Sequence, residues 1–166
     1  MKNLKAKMFN KKASDPRNKP DQIIEIIGLK SGQVIADIGS GGGYFTLRFA
    51  EIVGEEGKVY AVDTDEKLLE FVNNNAKQKG LNNIITVLAK DKLELPKESL
   101  DFVFMRNVTH HISDRVSYFI DGMSINLATA YNSGHMATLR SAKIRKRTSY
   151  VRRPLAETSY GEKGGG

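Results

Sequence analysis

Val34-Ile35-Ala36 runs without a break into Asp37-Ile38-Gly39-Ser40-Gly41-Gly42-Gly43, and a second apolar run, Val59-Tyr60-Ala61-Val62, closes on Asp63 twenty positions past the last glycine. A strand that opens into glycines lets backbone approach a ligand closely, because no Cβ intervenes and a positive φ carries no steric cost. An acidic side chain at the tip of the following strand can accept hydrogen bonds from both hydroxyls of a ribose. The pairing predicts a nucleotide-binding α/β unit whose ligand is a nucleoside derivative.

What the glycine run lacks narrows the ligand. Dinucleotide sites use G-x-G-x-x-G and seat a pyrophosphate on a helix N-terminus, whereas here the third glycine position is Tyr44 and an acid, Asp37, precedes the first glycine by two. A carboxylate repels pyrophosphate and attracts an ammonium. No G-x-x-x-x-G-K-[ST] occurs in the chain, which argues against a P-loop triphosphate site. A ribose at one end and an amino acid at the other satisfy both acids, although Asp37 could instead serve the loop's own amides. Asp63 could likewise cap the helix that starts near Glu66, a role for which Asp65 is better placed.

Further along, Ile84-Ile85-Thr86-Val87-Leu88-Ala89 leads into Lys90-Asp91-Lys92 and Leu95-Pro96, and Leu100-Asp101-Phe102-Val103-Phe104-Met105-Arg106-Asn107 follows. With the two acids and the glycines, these segments resemble the class I S-adenosylmethionine-dependent methyltransferases, in the branch that includes quinone-biosynthesis and other small-molecule enzymes. The resemblance implies S-adenosyl-L-methionine as cofactor. It implies contacts from Asp37, Gly39, Ser40, Gly41, Gly43, Asp63, Thr64, Asp91, Lys92 and Asn107, with Asp91 near the adenine amino group and the Asn107 backbone carbonyl at the methionine end. Asp91 could equally pair with Lys90 and Lys92 on the surface, and Asn107 could be a turn residue.

The order strand, helix, strand, helix, strand predicts a Rossmann-like parallel sheet with helices on both faces. A helix begins at Lys19-Pro20-Asp21, proline being tolerated in the first turn, with Ile23, Ile24, Ile26 and Ile27 expected inward. Tyr44, Leu47, Phe49, Ala50 and Val53 recur at helical spacing, and Glu66 to Lys79 reads as a helix stopped by Gly80. Right-handed crossovers give the strand order 3-2-1-4, which gathers the acids and glycines at the carboxyl edge where open α/β sheets bind ligands. Phe9, Tyr44 and Tyr118 could pack around a ligand, but such aromatics are more often core.

Three segments follow: a basic stretch at 1–19, the cofactor-binding domain at 20–119, and an atypical basic tail at 120–166. The tail has no run of five apolar residues and carries Lys143-Ile144-Arg145-Lys146-Arg147 and Arg152-Arg153, so weak order is expected there. Strands 5–7 of the family's fold are expected to be absent, with the outer edge of strand four, Leu100 to Arg106, left bare and open to pairing with a second copy. The chain could then be a cofactor-binding remnant without catalysis.

The net charge is +7, but it is uneven: residues 1–20 carry seven basic residues and one acid, 21–115 eleven and fifteen, and 116–166 eight and three. The domain itself is therefore mildly acidic, which disfavours nucleic acid as partner. An RNA methyltransferase using the basic ends is the remaining variant of that idea, and its binding would fade with salt. No cysteine is present, which removes disulfides, thiolate metal sites and thiol nucleophiles. No metal-ligand spacing appears, no apolar run reaches membrane-spanning length, and a cytoplasmic protein is expected. His110 and His111 follow the fourth strand and are the candidates for general acid-base work on the acceptor, expected to be a small molecule. They could also be a polar helix start with Asp114 as partner.

Overall fold

The computed structural model describes residues 3–89, Leu95, 100–106, 124–130 and 138–143, the last two segments as backbone. The elements in chain order are α1 (Leu4–Ala13), a 3-10 turn (Pro16–Asn18), α2 (Pro20–Ile27), β1 (Val34–Ile38), α3 (Tyr44–Val53), β2 (Lys58–Asp63), α4 (Glu66–Gln78), β3 (Ile84–Leu88), β4 (Phe102–Arg106), β5 (Ser124–Ala130) and β6 (Thr138–Lys143). One six-stranded sheet has the order β3-β2-β1-β4-β5-β6. The pairs from β3 to β5 are parallel, and β6 alone runs antiparallel.

The 3-2-1-4 core is therefore as the sequence indicates, but the sheet does not stop there. Backbone of β5 pairs along the whole of β4, from Phe102 opposite Asn126 to Arg106 opposite Ala130. The expectation of a bare strand-four edge, and of a second copy pairing on it, is corrected: β5 takes that edge. Two segments of the nominally weak tail are strands, because the alternation Ser124-Ile125-Asn126-Leu127 meets the period-two requirement of a strand without a continuous apolar run.

β1 is buried along nearly its whole length, as a central parallel strand must be. Register fixes which side chains share a face. Ile35, Asp37, Val59, Ala61, Phe102 and Phe104 lie on one side, with Asp63 and Arg106 continuing the same alternation. On that side α3 packs Phe45, Phe49, Ala50 and Val53 against the strands, and α2 adds Ile23 and Ile27. Phe104 meets Phe45 at 5.0 Å and Phe49 edge-on at 5.2 Å between ring centroids, geometries that favour aromatic pairs. The opposite face carries Ala36, Ile38, Val62, Leu95, Leu100 and Val103.

The end of α2 departs from the sequence expectation. Ile23 and Ile27 are buried, Ile24 is partly so, and Ile26 is exposed at 42%; one helical stripe cannot turn four isoleucines inward. The basic N-terminal stretch is not simply solvated, since α1 lies against α3 and α4. No helix among the described residues is long and apolar enough to cross a membrane.

Candidate cofactor site

The carboxyl ends of β1 and β2 are tied together by the glycine bend. Gly39 and Ser40 donate their amides to the Val62 carbonyl at 2.8 and 3.0 Å, and Gly43 donates to the Ser40 carbonyl at 2.9 Å. Gly41 has φ +57, a value that L side chains adopt only with strain. Its N–H donates to Asp63 Oδ2 at 2.9 Å, while Asp65 N–H donates to Asp63 Oδ1 at 3.0 Å. One carboxylate thus fastens the bend to the entrance of α4. Each oxygen retains a lone pair, and Asp63 lines the cleft.

Asp65 is the helix cap, accepting from Lys67 N–H at 3.1 Å. It also binds Lys5 of α1 at 2.6 Å. The Lys5 bond holds the Asp65 carboxyl below its usual range.

Asp37 is buried and does not serve the loop amides. Its Oδ2 accepts from the hydroxyl of Thr46, itself fully buried in the first turn of α3, at 2.6 Å. Burial pushes the Asp37 carboxyl up to about 7, Thr46 opposes that, and the nearby Asp63 charge adds to it. A buried acid poised near neutrality is suited to a cationic partner, whose charge would favour the ionised form.

α1 supplies an unforeseen wall. Asn10 Nδ2 donates to the Gly42 carbonyl at 2.8 Å, and Asn10 Oδ1 accepts from Tyr44 N–H at 3.1 Å, so one amide brackets the bend and caps the start of α3. The fit is tight. A Cβ on Gly42 would stand 2.3 Å from both the Ala6 carbonyl oxygen and Asn10 Oδ1. Phe9 rests beside Gly41.

These parts surround a cleft of about 420 Å³, within the range of ligand pockets. Asp37, Gly39, Ser40, Gly41, Asp63 and Thr64 all line it, together with Phe9, Tyr44 and Arg106. Gly43 faces elsewhere: it starts α3 with φ +82, and a Cβ there would meet Val72 of α4 at 2.7 Å. Asp91, Lys92, Asn107, His110, His111 and Tyr118 lie outside the described residues. Sequence reasoning missed Asn10, Thr46 and Arg106. For Arg106 the signal was its place at the end of β4; burial lowers its pKa against the opposing Asp37 charge, and it stays protonated.

Residues 29–147 match the family described as methyltransferase domain. The chain belongs to the class I, Rossmann-like methyltransferases. Over 75 residues it is 33% identical to a protein-L-isoaspartate O-methyltransferase of Methanococcoides burtonii, covering 45% of this chain and 37% of that protein. Over 92 residues it is 32% identical to a probable cobalt-precorrin-6B C(15)-methyltransferase (decarboxylating) of Saccharolobus solfataricus, covering 54% of this chain and 46% of the relative. The methyltransferase chain thus spans less than half the length of these two curated relatives. Among solved structures, a SAM-dependent methyltransferase from Aquifex aeolicus superimposes with a TM-score of 0.61 at 28% identity, covering 74% of this chain and 70% of that one.

The family's cofactor is S-adenosylmethionine, and the cleft fits it on its own terms. Ser40 Oγ is buried with no hydrogen-bond partner among the described residues, a cost that a bound polar group would relieve. Beside it lie glycine backbone open to close approach, a carboxylate on β2 and a second, buried carboxyl on β1.

Proposed function

We propose that this methyltransferase domain binds S-adenosylmethionine in the cleft beneath α1 and transfers its methyl group to a small-molecule acceptor. The supporting observation is the convergence of Asp37, the Gly39–Gly41 backbone and Asp63 on one rim. When bound, the cofactor supplies an electrophilic methyl carried on a sulfonium. Asp63 accepts from the ribose hydroxyls while keeping Gly41 in place. Asp37 receives the ammonium, and Phe9 and Tyr44 narrow the cleft against water. Because methyl transfer is an in-line displacement, rigid placement is the protein's main contribution. His110 and His111, a few residues beyond β4 in the chain, are the candidates to take a proton from a weakly acidic acceptor. Asp91 and Lys92, which follow β3 in the chain, and Asn107, which follows β4, are the remaining residues proposed to contact the cofactor.

Calorimetric titration with S-adenosylhomocysteine tests the cofactor assignment, and transfer of a labelled methyl to candidate acceptors tests the reaction. Saturable binding with a raised melting temperature is expected; stabilisation by NAD with none by S-adenosylhomocysteine would replace the assignment with a dehydrogenase.

Asp63→Ala has two consequences that can be read separately. Binding of S-adenosylhomocysteine should weaken about ten- to a hundredfold, the worth of charge-assisted hydrogen bonds. The unliganded protein should also lose about 1–3 kcal/mol, because the Gly41 and Asp65 amides lose their acceptor. Unchanged denaturation midpoints would show that the bend does not depend on this carboxylate.

A further inference from the structure

Among the charged residues lining the cleft, Arg106 at the end of β4 has no role in the proposed cofactor contacts. Ile38 of β1 stands opposite Val62 of β2 on one side and Met105 of β4 on the other. The next residues, Asp63 and Arg106, therefore flank Gly39 at the same level, two strands and about 10 Å apart. Both belong to the sheet face covered by α3. The Arg106 guanidinium lies 5.4 Å over the ring of Phe45, whose own burial against Phe104 fixes the platform, and it lines the same cleft as Asp37 and Asp63.

We propose that Arg106 is a carboxylate-binding residue of this cleft. The inference rests on the cofactor reading above and extends it. A guanidinium seated on an aromatic ring loses little freedom on binding, and its planar fork matches a carboxylate. Two molecules could bring that carboxylate: the amino-acid end of the cofactor, lying across the rim from Asp63 past Gly39, or the methyl acceptor.

The test compares S-adenosylhomocysteine with 5′-methylthioadenosine, which keeps the adenosine and thioether but lacks the amino-acid end. Calorimetry is run on the parent, Arg106→Met, which keeps an apolar contact on Phe45, and Arg106→Lys, which keeps the charge without the fork. If the cofactor supplies the carboxylate, Arg106→Met weakens S-adenosylhomocysteine about ten- to a hundredfold and leaves 5′-methylthioadenosine within about twofold, with Arg106→Lys between. If the acceptor supplies it, both nucleosides bind the variants as they bind the parent, and benzoate titrated into the S-adenosylhomocysteine complex binds the parent but not Arg106→Met. Equal binding of all three probes by parent and variants, with melting temperatures showing folded protein, overturns the proposal. Failure of the parent to bind either nucleoside overturns the cofactor reading and this proposal with it.

Discussion

Asp37→Asn is expected to make the unliganded protein more stable at pH 8 while stripping it of most of its affinity for S-adenosylhomocysteine. The Asp37 carboxyl, buried and pushed up to about 7 from the ordinary value of 3.8, is held protonated by the folded state over a range where the unfolded chain has already released its proton. Below the unfolded value both states are protonated and nothing is lost. As pH rises toward 7, stability falls, and above 7 the full cost of an ionised buried acid is present, on the order of 4 kcal/mol. Asparagine removes that charge and keeps an oxygen for the Thr46 hydroxyl, but it buries amide hydrogens that can cost about 1–3 kcal/mol. The net gain at pH 8 should therefore be about 1–3 kcal/mol, and it should vanish or reverse at pH 5. Urea denaturation of both proteins at the two pH values reads this directly. A parent whose advantage over the variant does not change with pH would mean that Asp37 is ionised throughout.

Ligand affinity should move the other way. An ammonium beside Asp37 favours the ionised carboxylate, so the parent should bind S-adenosylhomocysteine more tightly as pH rises through 7, and the asparagine variant should lose that dependence. The side chain that weakens the empty protein is the one proposed to receive the cofactor's ammonium. Stability and recognition conflict at this position, as they commonly do in working sites.

Gly42→Ala is expected to detach α1. Its new Cβ would meet the Ala6 carbonyl oxygen and Asn10 Oδ1 at 2.3 Å, and a backbone oxygen cannot swing aside as a side-chain tip can. Overpacking of this kind costs about 1–3 kcal/mol. Here it should fall on the α1 docking contacts: the two Asn10 hydrogen bonds and the Lys5–Asp65 pair. Protease cleavage within residues 4–13 should accelerate, and affinity for S-adenosylhomocysteine should drop as the cleft loses a wall, while the sheet stays folded. Cleavage at the parental rate would show that the bend relaxes without moving the helix.

The parallel core was legible because β1, β2 and β4 announce themselves as apolar runs ending in polar or glycine residues, a pattern that parallel strands require. The acids at 37 and 63 were legible for the same reason, as they mark strand ends. α1 was not. In Leu4–Ala13 the buried residues are Ala6 and Ala13, while Leu4, Met8 and Phe9 are exposed at 73%, 59% and 37%, so hydrophobic periodicity gave no sign of which face packs. Asn10 and Thr46 were illegible because their partners lie 32 and 9 residues away, and a lone Asn or Thr on a helix carries no mark of what it will meet. β5 and β6 escaped because neither Ser124–Ala130 nor Thr138–Lys143 is a continuous apolar run of the kind that marks β1 and β4.

The composition boundary near residue 20 separates a lysine-rich stretch from the α/β unit, yet the ligand cleft straddles it. A protein trimmed to begin at Pro20 would retain every strand and could still give a convincing circular dichroism spectrum. It would leave the Gly42 carbonyl and the Tyr44 amide without the amide that joins them. A ligand screen run on that trimmed protein would test a cleft missing one wall, and its silence would say nothing about the chain that carries α1.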